Sequence, residues 1–399
     1  MPQIKKPEAI WLLAGGIMQK PAAEKIKELG YELIVSDMNP DCVCAHYADH
    51  FVKLSTFDVA AHLEVAEKLR AEFEIKAVLT TGADCHETVA AIADFLQLPG
   101  VNPELSKNCR FKDRTRKILT EAGLPQPAFQ VVHSHGEAME AAATIGLPVV
   151  LKASDNSASR GFSKIEKLED LSVERFDDAL NAGSTGYVLV EKLLKPTTNE
   201  LAELSIETLW YKGKMLWLNW VDRLFRNDLH FFPFLETSEK NRDFPWAIEL
   251  GHLNPAQHSE SLRQELENMI YKAGIAMGLE KEKDGFIFKA DIFLTDQGPI
   301  ILELTPRLSG GWDSSKTTPL RGADFIGGAI QLALGKTASE DLIQKYFSFG
   351  KGAAFAAILC DVHKDAKDCT YRSYAAGAGE KLEEALEDAL KNLNEKNYL

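Results

Sequence analysis

Residues 285–311, GFIFKADIFLTDQGPIILELTPRLSGG, constrain the fold of this chain more than any other stretch. Two runs of period-two apolar patterning flank a turn, which predicts an antiparallel hairpin. In the first strand Phe286, Phe288, Ala290, Ile292 and Leu294 share one face, and Lys289, Asp291 and Thr295 share the other. Asp296-Gln297-Gly298 reads as a three-residue turn, with glycine where a left-handed residue is wanted. The second strand is expected to bury Ile300, Leu302 and Leu304 and to turn Glu303 and Thr305 the opposite way. A hairpin folded about Gln297 sets Asp291 directly across from Glu303, because each lies six residues from that centre.

Like charges facing each other across a ladder destabilise it. The two carboxylates therefore either hold a cation between them or share a solvated face on which Lys289 balances the charge. Oxygen ligands from Asp and Glu suit Mg²⁺, with Mn²⁺ as the alternative, and Mg²⁺ usually takes one or two carboxylates plus substrate phosphates. Arg307, just past the strand end, could grip a phosphate or a carboxylate with a bidentate fork.

The chain has 399 residues, a length that suggests two or three domains, and 45% of them are hydrophobic, enough for a sizeable core. Its net charge of −14 argues against nucleic acid or an anionic membrane as a bulk partner, so any phosphate site must be a local basic pocket. The six cysteines form no CxxC pair and no Cys/His ligand spacing, and a reducing cytoplasm fits them. Cys42-Val43-Cys44 reads as loop or core thiols. The apolar run at 10–18 is too short to span a membrane.

Read in order, residues 9–15 predict a buried strand, 19–29 a helix and 31–36 a second strand ending at Asp37. That outline resembles a nucleotide-binding βαβ unit, but Ala14-Gly15-Gly16-Ile17-Met18-Gln19 lacks the spacing of the dinucleotide fingerprint. A helix at 58–73, a strand at 77–80, a Thr-Gly-Ala-Asp loop and a helix at 85–96 continue the alternation, which argues a parallel α/β sheet. One helix is expected over 106–122, its six basic residues lying on a solvated face, with Gly123 closing it. Strands are expected at 128–133, 148–152, 187–191, 203–210 and 215–221, and a helix at 136–145. The strand ending in Lys152 runs into a small-residue loop, 154–161, whose backbone N–H groups could approach phosphate. Asp222-Arg223 reads as a structural ion pair or as a substrate-side candidate, Trp312 as a pocket wall or a core residue, and His230, His252 and His258 lack ligand spacing. A strand at 353–359 and a charged helix at 379–393 close the chain.

Taken together, the ordered set from about Phe111 to Gly311 resembles the ATP-grasp superfamily, near the carboxylate–amine ligases and carbamoyl-phosphate-synthase-like enzymes. The resemblance implies an α/β (α+β) grasp domain preceded by a Rossmann-like parallel domain. Its divisions would fall at 1–105, 106–195 with a phosphate-covering lid, and 196–399 with the metal hairpin. By the same resemblance Lys112 and Lys152 look like the two ATP lysines, and Ser159, Arg160 and Gly161 like the close of the covering loop. Glu191, Lys192 and Leu194 resemble the adenine-reading hinge, and Glu203 the acid near the ribose and phosphates. Asp291, Glu303 and Thr305 stand where the metal ligands stand, and Arg307 where an arginine steadies the transferred phosphoryl and acyl groups. The family pattern has glutamate in place of Asp291 and asparagine in place of Thr305, and often glycines where this chain has Asp155 and Asn156.

The implied activity is an ATP- and Mg²⁺-dependent ligase that phosphorylates a small carboxylate, releases ADP and couples the acyl group to an amine, with a homodimer as the oligomer seen among relatives. Two rival expectations stand beside it. One is a non-catalytic or ATP-sensing protein on the same fold, motivated by Asp291 and Thr305; the other is a nicotinamide-dependent oxidoreductase, motivated by Gly15-Gly16 and Asp37.

Overall fold

A computed structural model of the chain describes residues 5–156, 161–198, 200–225, 249–361 and 370–395. The first strands, β1 (Glu8–Leu13), β2 (Glu32–Asp37), β3 (His50–Lys53) and β4 (Glu74–Leu79), form a parallel sheet in the order β3-β2-β1-β4. Helices α1 (Lys20–Glu28), α2 (Val59–Glu72) and α3 (His86–Phe95) connect or follow them. Strand β3 escapes the sequence pattern because it is a four-residue edge strand with a single buried residue, Val52.

The nicotinamide reading meets an obstacle in the first turn. Asp37 does not face an open ribose site: one carboxylate oxygen accepts from Gly15 N–H (2.7 Å) and the other from Asn39 N–H (2.9 Å). A Cβ on Gly15 would sit 2.3 Å from Cys42 Sγ, so the loop is closed against its neighbour. Cys42, Cys44, Cys85 and Cys109 are buried, unpaired thiols. Among the described residues no helix is long and apolar enough to cross a membrane.

The expected helix over 106–122 is two helices, α4 (Pro103–Arg110) and α5 (Lys112–Glu121), broken at Phe111, whose backbone is extended. The cause is tertiary. Lys112 N–H bonds Ser154 O (3.0 Å) instead of continuing the helical ladder. A second, antiparallel sheet follows, with β5 (Phe129–Val132), β6 (Val149–Ala153), β7 (Ser163–Ile165) and β8 (Val188–Lys192) in the order β5-β8-β6-β7. Helices α6 (His135–Ile145) and α7 (Val173–Ala182) close its apolar face.

The largest sheet is antiparallel and seven-stranded. It comprises β9 (Glu203–Tyr211), β10 (Lys214–Phe225), β11 (Glu249–Asn254), β12 (Phe286–Thr295), β13 (Gly298–Thr305), β14 (Ala353–Asp361) and β15 (Thr370–Gly379), ordered β13-β12-β9-β10-β11-β14-β15. Helix α8 (Glu260–Met277) packs on one face, burying Leu266, Ile270 and Ala273 against Trp210, Phe288 and Leu304. After a single turn α9 (Thr318–Leu320), helix α10 (Phe325–Ala333) lies between the parallel sheet and the large one. Phe325, Ile326 and Ile330 share one core with Ile10, Leu12, Leu33 and Val35 from the parallel sheet and with Leu209 and Ile287 from the large one. Helices α11 (Glu340–Tyr346) and α12 (Leu382–Asn394) complete the chain.

The hairpin pairs Asp291 with Glu303, but by a different route from the one expected. Thr295 pairs with Gly298, so the loop is Asp296-Gln297 alone, and a bulge between Asp291 and Ile292 restores the count. The unpaired residue on the partner strand is Leu302, since Ile292 faces Ile301 and Asp291 faces Glu303. The bulge also resets which side chains are buried. Ile301 and Leu304 enter the core, whereas Ile300 and Leu302 do not. Arg116, expected on a solvated face, is 1% exposed and holds the bulge: its guanidinium donates to Ile301 O (3.4 Å), Leu302 O (2.8 Å) and Glu191 Oε1 (2.8 Å). An Arg116→Met substitution strips three buried acceptors of their donor, one of them charged. It is expected to cost roughly 3–5 kcal/mol, as breaking a buried pair does, read as a fall in the urea midpoint. A midpoint within error of the parent would show that the bulge needs no such support.

Candidate active site

A cleft of about 500 Å³ lies where the three sheets meet. The small sheet supplies Lys152 and the segment Glu191–Leu194 to its walls, and the large sheet supplies Glu203, Arg223, Asp291 and Glu303. Lys112 enters from the start of α5, and Gly82 and Asp84 from the loop after β4. Lys112, Lys152, Glu191, Lys192, Leu194, Glu203, Asp291, Glu303 and Arg307, separated by up to 195 residues in sequence, all line it.

Strand register explains the floor. On the cleft face one cross-strand row runs Glu303–Asp291–Ser205, and the next runs Thr305–Lys289–Glu207. A third joins Phe293, Glu203, Arg223 and His252. Leu302, turned outward by the bulge, joins the cleft wall beside Phe293.

The cations in the cleft are held by carboxylates. Lys152 Nζ lies 2.8 Å from Glu191 Oε2, and Lys112 Nζ lies 3.5 Å from Glu303 Oε1 while donating to Asn156 O (2.6 Å). A lysine in the first turn of a helix opposes the helix dipole, so Glu303 offsets a local conflict as well as a charge. Glu191 is fully buried, yet the Arg116 and Lys152 charges overcome its burial and hold its carboxyl well below the usual range. Lys289 Nζ lies 2.5 Å from Asp291 Oδ2, and Arg223 lies 3.6 Å from the same oxygen. Asp291 Oδ1 and Thr305 Oγ1 are buried without a partner. Burial pushes Glu203 up to about 7, against the pull of Arg223.

Other expected residues take different places. The Lys192 side chain turns away from the cleft centre to cap α6, donating to Gly146 O (2.7 Å) and Leu147 O (3.0 Å). Thr305 is 3% exposed and lies beneath the cleft rather than in its wall. Gly161 packs against Ala182 with φ +71°, a conformation and a closeness that favour glycine. Ser159 and Arg160 lie outside the described residues, as does His230. Asp155 and Asn156, where glycines were expected, anchor the start of the loop. Asp155 accepts from Ser184 N–H (3.1 Å) and Asn156 Nδ2 donates to Ala182 O (2.6 Å).

The sequence marks Arg223 as a substrate-side candidate but gives no role to Glu249, His252 or His258. Asp222 and Arg223 do not pair with each other, because neighbours on a strand point to opposite faces. Asp222 accepts from His258 Nε2 (2.7 Å), whose Nδ1 meets Glu200 (2.7 Å), and Arg223 grips Glu249 with two bonds (3.1 and 2.9 Å). His252 lies 2.7 Å from Glu249, so Arg223, Glu249 and His252 form a polar wall at one end of the cleft. Trp312 is a core residue, packed with Ala356 and Ala376.

Residues 111–203 match a family model described as the carbamoyl-phosphate synthase L chain, ATP binding domain. Solved structures overlay nearly the whole molecule. The phosphoribosylglycinamide synthetase of Anaerococcus prevotii covers 97% of this chain and 98% of its own, with a TM-score of 0.67 at 18% identity. The L-amino acid ligase of Bacillus licheniformis covers 89% and 80%, with a TM-score of 0.67 at 20% identity. The chain has an ATP-grasp fold. Among curated relatives, the chain is 24% identical over 317 residues to the y4rH protein of Sinorhizobium fredii, covering 78% of the chain and 60% of the relative. It is 26% identical over 337 residues to the carbamoyl phosphate synthase large chain of Pseudothermotoga lettingae, covering 81% of the chain and 26% of that relative. The chain therefore spans 60% of the first relative and about a quarter of the second.

On the same sheet face, next to the cleft floor, Glu207 accepts from Ser309 N–H (2.8 Å) and Ser314 Oγ (3.0 Å). Burial and then the Asp313 charge push its carboxyl up to about 7. A raised carboxyl favours the folded state below its unfolded value and loses that contribution as pH rises through about 7. Glu207→Gln keeps the shape and removes the titration. It is expected to raise the melting temperature at pH 8 and leave it nearly unchanged at pH 5. An equal shift at both values would show that the side chain does not titrate in this range.

Proposed function

We propose that this protein is an ATP- and Mg²⁺-dependent ligase that activates a small carboxylate as an acyl phosphate, releases ADP and passes the acyl group to an amine. The observation that carries the reading is the paired Asp291 and Glu303, facing Lys112, Lys152 and Arg307 in one cleft. Phosphoryl transfer requires positioning and charge neutralisation more than covalent chemistry from the protein.

The adenine end would lie against the Lys192–Leu194 backbone, with Val150, Leu302 and Phe293 as apolar walls. Lys152 and Lys112 would leave Glu191 and Glu303 in part to meet the phosphates, exchanging one charged partner for another. The donor set fits a divalent cation: two opposed carboxylates, one with a buried unpartnered oxygen, and a hydroxyl without a partner beneath them. Asp291, Glu303 and, through a water, Thr305 would hold Mg²⁺, which when bound neutralises charge on the transferring phosphoryl group. Ser159, Arg160 and Gly161 would close the covering loop and exclude water. Arg307 would steady the acyl and phosphoryl oxygens, and the Arg223, Glu249 and His252 wall would receive the remaining substrate. Small-molecule acids and amines would be its partners, and a homodimer is the proposed assembly.

A second reading has one observation in its favour. Lys289 already sits on Asp291, as a resident cation would, which suits a protein that binds ATP without turning it over. Products separate the two.

Lys152→Ala is expected to weaken ATP–Mg²⁺ binding by about 1.5–3 kcal/mol, the worth of a charge-assisted contact, measured by calorimetry. Unchanged affinity in a folded variant removes Lys152 from the nucleotide site. For the reaction, a screen of acids and amines should give ADP and phosphate only with the right acid and Mg²⁺. Hydroxylamine in place of the amine should trap a hydroxamate, and Glu303→Gln and Arg307→Ala should each abolish both signals. AMP as product, or a phosphorylated protein, contradicts the acyl-phosphate route. ATP binding with no acid-dependent ADP favours the sensing reading.

A further inference from the structure

We propose that Asp84, contributed by the parallel-sheet domain, is the positioning residue that aims Arg307 into the cleft. The proposal rests on the ligase reading above for its kinetic consequence, but its geometry stands apart. Arg307 is 9% exposed; one terminal nitrogen donates to Leu308 O (2.8 Å), the other bonds the Asp84 carboxylate, and Nε has no partner. With one amine group turned back onto its own chain, the Asp84 contact fixes the plane of the fork. Burial opposes the guanidinium charge, and Asp84 is the nearest group holding it charged, ahead of Glu303 and Asp291. A buried arginine without that carboxylate would turn toward the metal carboxylates instead.

The loop that carries Asp84 is fixed on both sides. Gln19 clamps Thr81 through three bonds: it accepts from Thr81 N–H (2.9 Å) and Oγ1 (2.7 Å) and donates to Thr81 O (2.9 Å). Gly82, at φ +93°, lies so close to the segment after Arg307 that a Cβ there would meet Gly310 Cα at 3.0 Å and Ser309 O at 3.2 Å. On the far side, His86 Nδ1 bonds Ser106 Oγ (2.8 Å). The carboxylate is therefore presented from a loop tied to its neighbours on both sides, onto the segment that follows β13. Neither the family pattern nor a local motif marks Asp84, because its partner is 223 residues away.

The test compares Asp84→Asn and Asp84→Glu with the parent. Both should bind ATP–Mg²⁺ with unchanged affinity by calorimetry, since Asp84 faces Arg307 and not the lysines. With the acid that supports ADP release, Asp84→Asn should lower kcat about 100-fold, the usual effect of misplacing a reacting group by an ångström. KM for the acid should change less than about threefold, and Asp84→Glu should recover part of the rate. A merely structural role would lower stability and ATP affinity together and spare kcat. Turnover of Asp84→Asn within about threefold of the parent overturns the proposal. If the parent releases no ADP with any acid, the ligase reading fails instead. The Arg307 Nε–Hε NMR signal, assigned with Arg307→Lys, then decides the positioning role: it should shift and broaden in Asp84→Asn, and an unchanged signal overturns the role.

Discussion

The interaction on which the rest of the site depends is the buried guanidinium of Arg116. It binds the carbonyls of Ile301 and of Leu302, the residue the bulge leaves unpaired, and it binds Glu191 in the facing small sheet. One side chain thus fastens three things: the helix that starts at Lys112, the strand that carries Glu191, and the irregular step in β13. Without the bulge, Asp291 would face Leu302 and Glu303 would turn toward the core. The alignment of two carboxylates across the ladder is therefore maintained from behind, by a group that never reaches the cleft.

Charge in the cleft is balanced locally rather than by the chain as a whole. The net charge is −14, yet Lys112, Lys152, Arg223, Lys289 and Arg307 converge on one cavity. Each has at least one carboxylate within ion-pair reach. A phosphate ligand would enter by exchanging partners with Glu191 and Glu303, so its binding free energy is the difference between two sets of charged contacts. Such an exchange keeps the empty protein stable and makes the affinity sensitive to the geometry of the carboxylates that give way.

Much of this was legible in the sequence because it is local. Alternation over Phe286–Thr295 placed the first strand of the hairpin, and Lys112, Lys152, Glu191, Glu303 and Arg307 stand at element ends that apolar runs and turn residues mark. The pairing of Asp291 with Glu303 was anticipated for an incomplete reason: a three-residue turn and a two-residue loop plus bulge give the same count. What could not be read is what strand register and tertiary contact decide. Arg116 and its exposed neighbours are indistinguishable by helical period once the helix is broken at Phe111, and that break depends on Ser154. Arg223, Glu249 and His252 adjoin only because β10 pairs with β11, and Asp84 meets Arg307 only because the loop after β4 packs against the segment after β13.

The core shared through α10 has a consequence for dividing the chain. Phe325, Ile326 and Ile330 complete the apolar face of the parallel sheet, so the segment that precedes residue 105 and the one that follows residue 320 are two parts of a single hydrophobic structure. Dividing the chain near residue 105 would strip Ile10, Leu12, Leu33 and Val35 of the α10 part of their apolar packing, leaving what Ala22, Ala23 and Ile26 of α1 supply. A fragment cut between the parallel sheet and α10 would therefore carry an exposed apolar face, a liability for solubility that the intact three-sheet body does not have.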